Sequence, residues 1–211
     1  MKTKLIIISV MSLLTITKIY GQTESPRTKL DFGIKAGTNI SNVWDSKGEE
    51  FAADSKFGFA GGVFLGVPLG EVLGLQPEVL ISQKGFKGSG SLLGLPYSFS
   101  RTTTYLDIPL LVQIKPADFI TLVAGPQFSY LLSQKDVYTF ADNSADQEQE
   151  FENDNIRKNI LGIVGGADLY YQNFLFSGRL GWDFQTNNGD GTSDTPRYKN
   201  QWLQFMVGYK F

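Results

Sequence analysis

Beyond residue 30 the chain alternates apolar and polar positions with a period of two, the pattern of a β-strand whose faces meet different surroundings. Phe32, Ile34, Ala36 and Ile40 share one face of the first such stretch, and Asp31, Gly33, Lys35, Gly37 and Asn39 share the other. The second stretch sets Phe57, Phe59, Val63, Leu65 and Val67 against Gly58, Ala60, Gly62 and Gly66. The third, ending near Lys84, opposes Leu75, Val79 and Ile81 to Gln76, Glu78 and Ser82. In the fourth, Leu106, Ile108, Leu110, Val112 and Ile114 stand opposite Tyr105, Asp107, Leu111 and Gln113. The fifth carries Leu122, Ala124, Phe128, Tyr130 and Leu132 on its apolar side. The sixth has Leu161, Ile163, Ala167 and Leu169 against Gly162, Gly166 and Asp168. The seventh has Phe174, Phe176, Leu180, Trp182 and Phe184 against Ser177, Arg179, Gly181 and Asp183. The last, residues 201–211, points Leu203, Phe205, Val207, Tyr209 and Phe211 one way.

Eight strands are therefore expected, and their connections alternate in length. The polar stretches 41–56, 85–103, 133–158 and 186–200 read as long loops of roughly 15 to 26 residues. Those near 68–73, 115–118 and 171–173 read as turns of roughly 3 to 6 residues. Short turns at one end and long loops at the other predict an all-β fold, an eight-stranded antiparallel transmembrane β-barrel with short periplasmic turns and long extracellular loops. Lipid offers no hydrogen-bond partner, so such a sheet must close and turn an apolar face outward. On this reading Lys35, Glu78, Asp107, Asp168, Arg179, Asp183 and Lys210 face inward. A soluble barrel would invert the two faces, and the period alone does not choose between them. Pro77, Pro109 and Pro126 fall inside expected strands, where a missing donor is costly, and read as bulges or strand-end kinks.

The N-terminus bears on that choice. Lys2 and Lys4 precede an apolar run from Leu5 to Ile16, and small Gly21 stands before Gln22. Residues 1–21 thus read as a secretory signal peptide, 22–30 as a polar lead-in and 31–211 as the barrel domain. Losing three lysines with the signal would move the net charge from −2 to −5. An acidic chain without a basic cluster gives no ground for a nucleic-acid partner. The sequence contains neither cysteine nor histidine, which removes disulfides, thiolate or imidazole metal ligation and nucleophile–histidine catalysis.

Several stretches resemble the Bacteroidetes-type outer-membrane β-barrel family, porin-like proteins that include the PorT-like group. They are FGIKAGTNI from Phe32 to Ile40, GFAGGV from Gly58 to Val63, LQPEVLISQKG from Leu75 to Gly85 and YLDIPLL from Tyr105 to Leu111. Gly125-Pro126 and the closing VGYKF from Val207 to Phe211 also fit. The resemblance covers nearly all of the chain after the signal peptide. It implies an eight-stranded outer-membrane barrel and makes Pro77 and Pro109 family features. It also implies that Tyr209 and the terminal Phe211 serve as the signal presented to the barrel-assembly machinery. PorT-like members are associated with type IX secretion.

Candidate chemistry is sparse. Lys35, Glu78, Asp107 and Arg179 form an expected lumen charge network, since charges in a narrow interior must be paired or solvated; Arg179 is expected within salt-bridge reach of Glu78 or Asp107. Asp146, Glu148, Glu150, Glu152 and Asp154, in the 133–158 loop, supply oxygens that could hold a cation weakly, but without the spacing of an EF-hand. No catalytic residue, resident metal or cofactor is expected. The expectation is a non-enzymatic protein of the Gram-negative outer membrane, in contact with its lipid. It would act structurally or bind partners, such as secretion or other surface proteins, through its extracellular loops. The alternative is a narrow porin-like channel for ions or small solutes.

Overall fold

The structure, a computed structural model, describes residues 28–44, 53–92, 95–140, 143–149, 156–188 and 198–211. The expected signal peptide and most of the lead-in lie outside these residues.

The described residues form nine strands: β1 (Asp31–Trp44), β2 (Asp54–Pro68), β3 (Leu73–Leu92), β4 (Leu95–Ala117), β5 (Ile120–Phe140), β6 (Asn143–Gln149), β7 (Asn159–Tyr171), β8 (Phe174–Asp183) and β9 (Lys199–Lys210). Eight of them close a ring of antiparallel pairs in the order β1-β2-β3-β4-β5-β7-β8-β9, with β9 returning to β1. The strand β6 stands outside that ring and pairs with the far half of β5.

Exposure decides which face is which. Ile34, Val63, Val79, Leu110, Leu122, Ile163, Phe176 and Phe205 all point away from the ring and are exposed. Lys35, Glu78, Asp107, Asp168, Arg179 and Asp183 point into it and are each at most 5 % exposed. The apolar outer wall is what hydrocarbon requires, because strand closure satisfies the backbone and the side chains meet only lipid. Inside, three small apolar clusters among the described residues accompany the polar groups: Ala60, Leu80 and Met206; Leu111, Val123 and Val164; and Tyr105, Leu131 and Ile160.

The connections at one end are short. They are residues 69–72 between β2 and β3, 118–119 between β4 and β5, and 172–173 between β7 and β8. In the last, Gln172 takes a left-handed φ of 54°.

The other end departs from expectation. The stretch 85–103, expected as a loop, is a hairpin in which β3 and β4 pair from Leu73↔Ile114 out to Leu92↔Leu95. Likewise β5 runs on to Phe140 and pairs back with β6 across part of the expected 133–158 loop. Glycine and serine disguised these strands, yet β-branched Thr102, Thr103 and Thr104 and aromatic Phe86, Tyr97 and Phe99 pack well on a pleated surface. A Cβ at Gly90 would sit 2.6 Å from the Tyr97 ring, so the bare position serves that close approach. The 23 residues of β4 reach about 75 Å at ~3.3 Å per residue, whereas ~9–11 tilted residues cross a bilayer. Much of β3, β4 and β5, with β6, therefore projects as a four-stranded sheet beyond the lipid.

The three prolines also differ from expectation. Pro77 pairs with Leu110, Pro109 with Gln127 and Pro126 with Ile163, with no register shift at any of them. The ladders lapse for a residue or two beside Pro77 and Pro109 and then resume in the same register. The register shifts lie elsewhere, between Ser55 and Ala60, between Thr104 and Tyr105, and between Ile114 and Ala117.

Candidate functional site: a charged lumen

The lumen charges are positioned by strand parity. Lys35 on β1 pairs with Gly62 on β2, and its side chain reaches over β2 to Glu78 on β3. Its Nζ donates to Glu78 Oε1 at 2.6 Å. Gln76 Nε2 donates to the same oxygen at 2.7 Å. Gln76 Oε1 accepts from Gln113 Nε2, tying β4 into the group.

On the opposite wall β7 presents Gly166 across from Arg179 of β8. The guanidinium reaches Asp168, with Nη2 2.6 Å from Oδ1 and 2.8 Å from Oδ2. Ser177 Oγ donates to Asp168 Oδ1 at 2.6 Å, and Arg179 Nη1 donates to the Ala167 carbonyl at 3.0 Å. Two links cross the lumen: Arg179 Nη2 lies 3.8 Å from Glu78 Oε1, and Gln76 Nε2 lies 3.3 Å from Asp168 Oδ2. Two cations and two carboxylates, each buried, thus balance within one hydrogen-bonded plug. Burial of such charges is tolerable only with this degree of pairing.

Asp107 belongs elsewhere. It pairs with Lys84 rather than with Arg179, the ammonium standing 3.2 Å from its Oδ2. Lys84 Nζ also lies 3.8 Å from the centre of the Trp202 ring and 4.9 Å from that of Tyr105. This upper group was missed because Lys84 falls where the third strand was expected to end. Its even number, in step with Glu78 and Ser82, was the available signal. Asp168 was placed inward by parity but not assigned to the network.

Towards the long-hairpin end, Arg101 holds Asp136 through two hydrogen bonds of 2.6 and 2.8 Å and donates to the Tyr198 hydroxyl at 2.8 Å. Phe86, Phe99, Tyr138 and Tyr198 pack around this pair with ring centres 4.8–5.7 Å apart. At the short-turn mouth Lys210 lies 3.3 Å from Asp31, over a hollow of about 410 Å³ also lined by Lys115, Thr121 and Tyr170.

The acidic stretch is split. Asp146 and Glu148 fall in β6, across from Val137 and Lys135, while Glu150, Glu152 and Asp154 lie outside the described residues. Among the described residues no three carboxylates gather into a cation site.

Tyr209 and Phe211 stand on the outer wall at the short-turn end. Phe211 stacks on Phe32 at 5.8 Å, and Tyr209 packs edge-on to Phe174 and Phe211 at 5.6 and 5.3 Å. With exposed Phe119 and Tyr171 they form an aromatic girdle.

The family comparison agrees with the ring. A family model described as outer membrane protein beta-barrel domain matches residues 20–185. Among solved structures, the attachment invasion locus protein Ail of Yersinia pestis is 12% identical, covering 87% of this chain and 99% of its own, with a TM-score of 0.48. Neisserial surface protein A is 12% identical over 85% of this chain and 97% of its own, with a TM-score of 0.49. The outer membrane protein OprG of Pseudomonas aeruginosa is 14% identical over 88% and 97%, with a TM-score of 0.40. At such identities and scores these likenesses carry nothing about activity. No curated protein matches the sequence.

Proposed function

This chain belongs to the outer membrane protein β-barrel domain family of the Gram-negative outer membrane, and from that premise we propose that it is a plugged, non-enzymatic anchor holding a projecting β-sheet at the cell surface for contact with a partner. The observation that carries this reading is the continuation of β3, β4 and β5, joined by β6, beyond the length the bilayer needs. Among the described residues two edges of that sheet have no paired strand: the end of β3 beyond its last contact with β2 at Lys87, and the side of β6 away from β5. Edge strands with unpaired N–H and C=O groups recruit extended segments by adding a strand. The plug supports the anchor reading over transport, because Glu78 and Asp168 are held by cations that side chains supply.

In this reading the long-hairpin end faces the cell exterior, the outer wall contacts outer-membrane lipid, and Tyr209 with Phe211 are read by the barrel-assembly machinery. The PorT-like resemblance supports a finer version, in which the partner belongs to type IX secretion.

Replacing residues 88–99 and, in the same variant, 137–148 each by a two-residue turn removes both edges and tests the proposal. The shortened protein should still give the compact, heat-modifiable band of a folded barrel. A photoreactive residue at position 135 should give a discrete surface adduct in intact cells with the full chain and none with the shortened one. Equal adducts from both would overturn the reading. Unchanged type IX cargo secretion in cells lacking the gene would remove only the secretion version.

A further inference from the structure

The outer wall changes chemistry where β3 and β4 leave the lipid. Along β4 the outward face is apolar from Ile114 to Leu106, a span of the ~9–11 residues that cross a bilayer. It then turns polar at Thr104, Thr102 and Ser100. On β3 the same face passes from Val79 and Ile81 to Gln83, Gly85 and Lys87. A rim at that height meets lipid headgroups rather than hydrocarbon.

Two ammonium groups converge on this rim. Lys56 of β2 reaches across β3 to β4, where its Nζ donates to Ser100 Oγ at 2.7 Å and to Thr102 Oγ1. Ser100 is also the cross-strand partner of Lys87, and paired residues on one face stand about 4.5–5.5 Å apart at Cβ. Lys56 and Lys87 therefore meet over one serine, where their charges repel. Lys87 is exposed and Lys56, Ser100 and Thr102 are half-buried, so the group opens outward. Both hydroxyls accept from Lys56, and each keeps a proton to donate.

The nearby carboxylates do not cancel this pair. Asp136 lies on the opposite face with Arg101. Asp54 pairs with Lys87 in the register, but it stands farther from the apolar band than Lys56, and among the described residues no ion pair joins it to Lys87. Glu148 lies across from Lys135, the next cation along the sheet.

We infer that Lys56 and Lys87, with the hydroxyls of Ser100 and Thr102, bind the phosphate of a lipid headgroup at the rim of the barrel. Two point charges and two hydroxyl donors suit the several acceptor oxygens of a phosphate. The apolar band directly below, where Ile81 pairs with Leu106, receives the acyl chains, which selects a lipid over a free anion. That the lipid belongs to the outer leaflet rests on the orientation proposed above; the binding itself does not.

The full chain, folded in zwitterionic micelles, is mixed with equal amounts of lipid A and its dephosphorylated form, and the lipid it retains is counted by native mass spectrometry. The unmodified chain should retain the phosphorylated form several-fold over the other, a comparison that needs no variant to fold. Lys56→Gln and Lys87→Gln should each lower that retention by roughly fivefold. Lys199→Gln, at the same end of the barrel on β9, should leave it unchanged. Equal retention of the two lipids, a preference that survives the double substitution, or an equal loss with Lys199→Gln would overturn the site. Displacement of lipid A by inorganic phosphate at matched concentration would overturn the lipid as its occupant. The assay uses isolated protein, so its failure would leave the orientation and the projecting sheet to their own tests.

Discussion

Arg179 Nη2 stands 2.6 Å from Asp168 Oδ1 on the neighbouring strand and 3.8 Å from Glu78 Oε1 on the strand directly opposite in the ring. One guanidinium thus serves two carboxylates on facing walls, and its loss leaves a buried negative charge without a partner. Arg179→Met should destabilise the barrel by roughly 3–5 kcal/mol, read as a lower temperature of conversion to the unfolded band on gels. Adding Asp168→Asn should recover part of the loss, because it removes the orphaned charge. Adding Asp107→Asn should not, because Asp107 answers to Lys84.

Trp202 makes a second point of sensitivity. A Cβ on Gly181 would meet the Trp202 ring at 2.1 Å, and that ring carries Lys84 3.8 Å from its centre. Gly181→Val should push the indole off the ammonium and cost about 1–3 kcal/mol. A tryptophan fluorescence shift that tracks the loss of stability would separate this from a general defect. Unchanged fluorescence and stability would show that the wall yields instead.

Orientation is tested from outside the cell. Ser89 lies exposed on the projecting part of β3, and Ala117 lies beside the short turn after β4. In intact cells an impermeant thiol reagent should label Ser89→Cys and leave Ala117→Cys unlabelled. Labelling at Ala117 alone would reverse the barrel in the membrane.

The ring was legible in the sequence because a period of two survives even where individual residues vary. Leu203, Phe205 and Val207 needed no tertiary information to be assigned one face, and the structure turns that face outward. Pairing inside the lumen was less legible. Parity says that Lys35, Glu78, Lys84, Asp107, Asp168 and Arg179 point inward, but partner choice depends on strand stagger, which sequence spacing does not encode. Hence Arg179 lies closer to Asp168 than to Glu78, and Asp107 goes to Lys84. The projecting sheet was hidden for a different reason. Gly88, Ser89, Gly90, Ser98 and Ser100 have the composition of a loop, and it is the cross-strand pairing and packing, such as Phe99 against Phe86 and Tyr138, that shows their segments to be strands.

The account rests on a lumen filled by its own side chains, as an eight-stranded ring permits. Single-channel recording in planar bilayers with the purified, folded chain tests this most directly. The plug of Lys35, Glu78, Gln76, Asp168 and Arg179 predicts a barrel that inserts without large, stable conductance steps. Reproducible porin-sized steps from the monomer would contradict it and return the chain to the channel reading.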